Sequence, residues 1–139
     1  MATFTKFNSF VEALAEKTHN LGSDQLKVAL TNTDPGAAVT NYAGLTAPLA
    51  TTNLSGATPF NVTTSTSAQT SGTYKLVCAD LVLTATGAVG PFRYVVLYND
   101  TAVADEVIGY YDYGSSISLA NAETFTIDFD GANGVLTIA

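Results

Sequence analysis

Cysteine is almost missing from this chain. Cys78 is the only one among 139 residues, so no disulfide framework can hold the fold. Positive charge is scarce as well. Lys6, Lys17, Lys27, Lys75 and Arg93 are the only cations, too few and too scattered to build the basic patch that nucleic acid demands. Charge of either sign is thin, at 12% of residues against roughly 25% in a typical soluble domain. Histidine occurs once, as His19, and one histidine without a visible partner makes no catalytic triad. The GxSxG, P-loop and HExxH patterns are all absent. These gaps predict a protein that is not an enzyme and needs no cofactor. Long apolar runs are lacking too. Nothing approaches the roughly 18 residues of a spanning helix, and residues 1–20 hold no apolar core of signal-peptide length. The expectation is a chain made and folded in a cytoplasm, with no membrane partner.

Apolar side chains are plentiful, at 47% of the sequence. That rules out a disordered acidic tail. Five cations against twelve acids give a net charge of −7, and 14.4 kDa is the mass of one ordinary domain. An apolar yet charge-poor soluble chain implies a surface partly covered by copies of itself or by a partner.

The charge divides the chain. Residues 1–27 carry three cations and three acids, and the whole of the −7 lies beyond Lys27. This predicts a single domain over 1–139, with a helical arm over 1–22 and an acidic β body over 23–139. Phe4, Phe7, Val11 and Leu14 recur at helical spacing, and Phe10 widens their stripe. Ser9-x-x-Glu12 as a capping box would start the helix late, Thr3 or Thr5 as the cap would start it early, and Gly22 reads as the residue that ends it. The arm either packs on its own body or docks on a neighbouring subunit.

Strands are expected over 25–31, over 73–86 as one strand or as two meeting near Ala79-Asp80, and over 92–98. Further strands are expected over 106–111 with a bulge at Gly109, then over 116–119, 124–129 and 134–138. Short strands at this spacing predict a mainly β fold, an antiparallel β-sandwich or jelly-roll-like body with one N-terminal amphipathic α-helix. Residues 32–62 are rich in Thr, Ser, Ala, Gly and Asn and hold Pro35, Pro48 and Pro59. They read as a long loop, with one strand near Phe60 and Val62, that orders only in an assembly.

Few constellations invite chemistry. His19 stands at the expected helix end, where it would cap carbonyls or meet solvent. Cys78 lies in an apolar strand, where a thiol is a small buried hydrophobe. Asp128, Asp130 and Asn133 surround a glycine turn and form a weak candidate for Ca²⁺, although Asx-rich turns are common without metal. Tyr94, Tyr98, Tyr110, Tyr111 and Tyr113 suggest either a sugar-stacking platform or interface packing. Tyr110 and Tyr111 must face opposite sides of a regular strand. Phe4, Phe7, Phe10, Tyr110, Tyr111 and Tyr113 are the predicted interface residues. Asn53, Asn61 and Asn99 match a glycosylation pattern that this composition produces by chance.

Four stretches carry a family likeness: Leu21 to Thr33, Gly90 to Thr101, Ile108 to Ser116, and Glu123 to Ile138. In them the sequence resembles small virion structural proteins of tailed bacteriophages. Residues 41–62 depart from that pattern, which leaves the loop without a role by analogy. The resemblance rests on strand and turn motifs, so it implies no catalytic residues. It implies a virion component. An acidic domain is repelled by packaged DNA, which points to the outer face of the head. There a capsid decoration (cement) protein would bridge capsomers, with the major capsid protein and copies of itself, as a trimer or other small homo-oligomer, for partners. The alternative is a tail-associated or receptor-binding module whose tyrosines hold a host glycan.

Overall fold

A computed structural model describes residues 2–139. Ten strands and one α-helix follow one another in the order β1 (Phe4–Lys6), α1 (Asn8–Ala15), β2 (Leu26–Thr31), β3 (Asn61–Val62), β4 (Thr64–Thr70), β5 (Thr73–Cys78), β6 (Leu81–Thr84), β7 (Val89–Asn99), β8 (Val107–Leu119), β9 (Thr124–Ile127) and β10 (Leu136–Ile138). They form a five-stranded sheet in the order β1-β8-β7-β2-β3, a three-stranded sheet β10-β5-β4, and the ribbon β6-β9. Every pairing is antiparallel. The fold is mainly β with one N-terminal helix, as the strand and turn spacing predicts.

Alternation along the central strands fixes two cores. Leu26, Val28 and Leu30 of β2, Val95 and Leu97 of β7, and Ile108 and Tyr111 of β8 face inward. They meet Leu76 and Cys78 of β5, Leu83 of β6, Ile127 of β9 and the following Phe129. Their neighbours Ala29, Val96, Tyr98 and Val107 point the other way into a second cluster. With both faces of β2 and β7 apolar, the outer face also has to be covered. The 32–60 segment does this. Leu45 is buried in the outer cluster, and Val39 and Tyr42 pack against it. Thr31 Oγ1 donates to the Thr46 carbonyl, and Asn41 bridges to Glu106. The expectation of a loop ordered only in an assembly is thereby corrected: within one chain it is the lid of the second core.

The N-terminal arm also departs from expectation. Phe4 lies in strand β1, opposite Tyr111 of β8. The helix starts at Asn8, not at a Ser9 capping box. Phe7 is its N-cap without a side-chain cap bond, and the Asn8 N–H donates to the Ala37 carbonyl of the covering loop. The helix ends at Ala15 and is closed by Lys17, not Gly22. Lys17 adopts φ +70°, and the Thr18 N–H reaches back to the Ala13 carbonyl at 2.8 Å, a Schellman closure made without glycine. Phe10 enters the inner core and Phe7 the outer one. The arm is thus pinned to both faces of its own sheet. Each such burial contributes about 1.5–3 kcal/mol.

Residues 73–86 split into β5 and β6 around Ala79-Asp80, one of the two foreseen arrangements. Residues 106–119 instead form one strand. Between the pairs Tyr94–Asp112 and Phe92–Ile117, β7 advances two residues and β8 five. Gly114 at φ +82° lets β8 absorb the excess without ending. Another register irregularity lies between Leu97–Gly109 and Tyr98–Val107, beside Gly109, where a bulge is expected. β1 and β4 carry no strand signal of their own, because Phe4-Thr-Lys6 is short and Thr64 to Thr70 is polar except for Ala68.

Candidate functional site

The predicted interface residues do not share a surface. Phe7, Phe10 and Tyr111 are buried within the chain, so they are unavailable to a partner, and their assignment as contact residues is corrected. Phe4, Tyr110 and Tyr113 are only half-exposed. The rings pack on one another instead. Phe4 and Tyr113 flank Tyr111, with centroids 5.1 and 6.4 Å away. Tyr110 lies on the opposite face between Phe7 and Tyr94, at 5.2 and 6.2 Å. Tyr110 and Tyr111 do face opposite sides. Burial pushes the Tyr113 and Tyr98 hydroxyls up to about 12 and raises that of Tyr111 further. Among the described residues the tyrosines form no open stacking platform of the kind glycan recognition calls for.

The acidic turn is closed on itself. Both Asp130 oxygens accept from Asn133, Oδ1 from its backbone N–H at 3.1 Å and Oδ2 from its side-chain amide at 2.8 Å. Asp128 Oδ1 accepts the Asp130 N–H at 2.7 Å. These bonds hold the Asp130 carboxyl below its ordinary range. Among the described residues no cluster of three or more His, Cys, Asp or Glu side chains has metal-site geometry. Cys78 is buried as expected, and burial pushes its thiol up to about 11.

Two ion pairs form among the described residues. Arg93 and Asp112 form a two-point fork, Nε to Oδ1 at 2.7 Å and Nη2 to Oδ2 at 3.0 Å, with the guanidinium over the Tyr94 ring. The fork holds the Asp112 carboxyl below its usual range. Lys27 meets Asp100 at 3.1 Å. Lys6 and Lys17 form no ion pair among the described residues.

His19 is not at the surface. It is 5% exposed, beside Phe10 with ring centroids 5.4 Å apart. Asn99, itself fully buried, organises its surroundings. The Asn99 Oδ1 accepts the backbone N–H groups of Thr101 and Ala102 at 3.0 and 3.2 Å. That fixes the amide orientation and leaves both Nδ2 hydrogens to give. One goes to Asp24 Oδ2 at 2.7 Å and the other to His19 Nδ1 at 3.0 Å. Nδ1 is therefore the acceptor, and in the neutral ring the proton sits on Nε2. Burial lowers the His19 pKa despite the opposing pull of Glu106 and Asp24. Nε2 is buried and has no partner among the described residues. Sequence reading missed this network because Asn99 and His19 lie eighty residues apart. The same burial removes Asn99 from the candidate glycosylation positions.

Over this network lies a cleft of about 500 Å³, between the end of α1, the β4–β5 hairpin and β10. Leu14, Leu21 and Ile138 supply its apolar lining, and Lys17, His19, Asn20, Ser67 and Tyr74 its polar groups. The Ser67 and Tyr74 hydroxyls share a hydrogen bond of 2.8 Å. Comparison with protein-family models, with curated proteins and with solved structures finds no match to this chain.

Proposed function

We propose that the chain is a decoration protein of a tailed-phage head, which binds the outer shell, bridges capsomers and stabilises them mechanically. The observation that carries this reading is where the four virion-like stretches fall. Three of them build β2, β7 and β8, hydrogen-bonded neighbours in one sheet, and the fourth supplies β9 and β10. The likeness thus follows one packed block and not scattered turns. The net charge of −7 supports a place away from packaged DNA.

With Phe7, Phe10 and the covering loop committed to the chain's own cores, the contacts fall to other elements. Strand β4, Thr64-Ser-Thr-Ser-Ala-Gln-Thr70, is an edge of its sheet and holds no charge and no proline. Natural edges of this length are usually blunted by such residues. Beyond the irregularity at Thr64–Thr66, such an edge suits strand pairing with a copy of the chain or with a shell protein. Many weak contacts of this kind, repeated by symmetry, bind strongly through avidity. Immunogold electron microscopy of virions tests the reading with antibody to the chain. Label over the head faces is the expected result. Label confined to the tail, or none on intact particles, would overturn it.

A further inference from the structure

The cleft over His19 has a lining unlike the rest of the molecule. In a chain with twelve acids, no carboxylate side chain lines it, whereas Lys17 does. Apart from Asn20, whose Oδ1 accepts the Gly22 N–H, its polar side chains offer hydrogen. His19 lines it, and its Nε2–H is buried without a described acceptor, because Asn99 already donates to Nδ1. Lys17 presents an ammonium that no described carboxylate holds. Ser67 and Tyr74 use one hydroxyl proton on each other and keep the second. The rest of the wall is apolar, and the volume lies in the range of small-molecule sites. A buried N–H without an acceptor is unfavourable, and a ligand bringing an acceptor would relieve it.

We propose that this cleft binds a small amphipathic carboxylate. One head group with two acceptor oxygens answers the His19 Nε2–H and the Lys17 ammonium together, with the free hydroxyl proton of the Ser67–Tyr74 pair beside them. The alkyl tail lies on Leu14, Leu21 and Ile138. Nε2 is shielded from solvent, so binding includes a side-chain adjustment of the cleft floor, the commonest local change on complex formation. The proposal is independent of the virion reading.

His19 is the only histidine, so ¹⁵N-histidine labelling of the full chain gives a single ring to follow. Octanoate, kept below its micelle concentration, is the probe. The expected result is a saturable shift of the His19 Nε2 signal, with acetate and 1-octanol each at least about tenfold weaker, since the charged hydrogen bonds and the apolar wall each contribute that much. Lys17→Asn keeps a residue suited to φ +70° and should weaken octanoate about fivefold, as for an exposed ion pair. No saturable His19 shift, octanol binding as tightly as octanoate, or an affinity unchanged by Lys17→Asn would overturn the proposal.

Discussion

Replacing Gly109 with alanine would put a methyl group where the Phe4 ring lies. The three atoms nearest to a Cβ built at Gly109 all belong to that ring, with Cε1 2.7 Å away. Gly109 pairs with Lys6 in the β1–β8 ladder, so the ring clears the methyl only by swinging off its packing on Tyr111. Overpacking of this kind costs about 1–3 kcal/mol, or a fall in Tm of roughly 4–10 °C for a domain of this size. Phe4→Ala alone should cost about 1–2 kcal/mol, the ring being half-exposed. The decisive comparison is the double variant. Once the ring is gone, alanine is the better strand residue, because it restricts the unfolded chain more than glycine does. Gly109→Ala should then be neutral or stabilising by about 0.5 kcal/mol. Its effect thus changes sign with the residue at position 4. Urea denaturation of all four proteins measures the cycle. Additive costs within about 0.5 kcal/mol would refute the claim that Gly109 is fixed by Phe4.

Three further outcomes are expected. The His19 pKa is lowered by burial, so below the ordinary value near 6.5 the unfolded chain takes up a proton that the folded chain resists. Stability should therefore be full above about pH 6.5 and decline from there toward the lowered folded pKa; melting curves from pH 7.5 to 5 should show this limb in the native protein and not in His19→Gln. Cys78, its thiol pushed up to about 11, should resist Ellman's reagent at pH 8 until the chain is unfolded in guanidinium, and rapid reaction of the native protein would contradict its burial. Millimolar calcium should leave Tm unchanged, since both Asp130 oxygens are already held by Asn133; a rise in Tm that Asp130→Asn abolishes would restore the metal reading.

Local sequence alone determined the β class, the positions of β2, β5, β7 and β9, and the opposite facing of Tyr110 and Tyr111. Period-two alternation and turn residues act over a few positions, and those are legible in one dimension. It also marked Cys78 as buried. Tertiary structure decided the rest. Phe4, Phe7 and Phe10 share a helical spacing, yet one lies in a strand, one caps the helix over the outer core, and one enters the inner core. The stripe did not survive because β1 gains more by pairing with β8 beside Gly109 than by adding a turn to a short helix. The 32–60 segment shows no period of its own, and its order comes from the apolar outer face it must cover. The candidate site was hidden for the same reason. His19, Asn99, Ser67 and Tyr74 belong to distant stretches, and only the packing of helix end, hairpin and sheet brings them together.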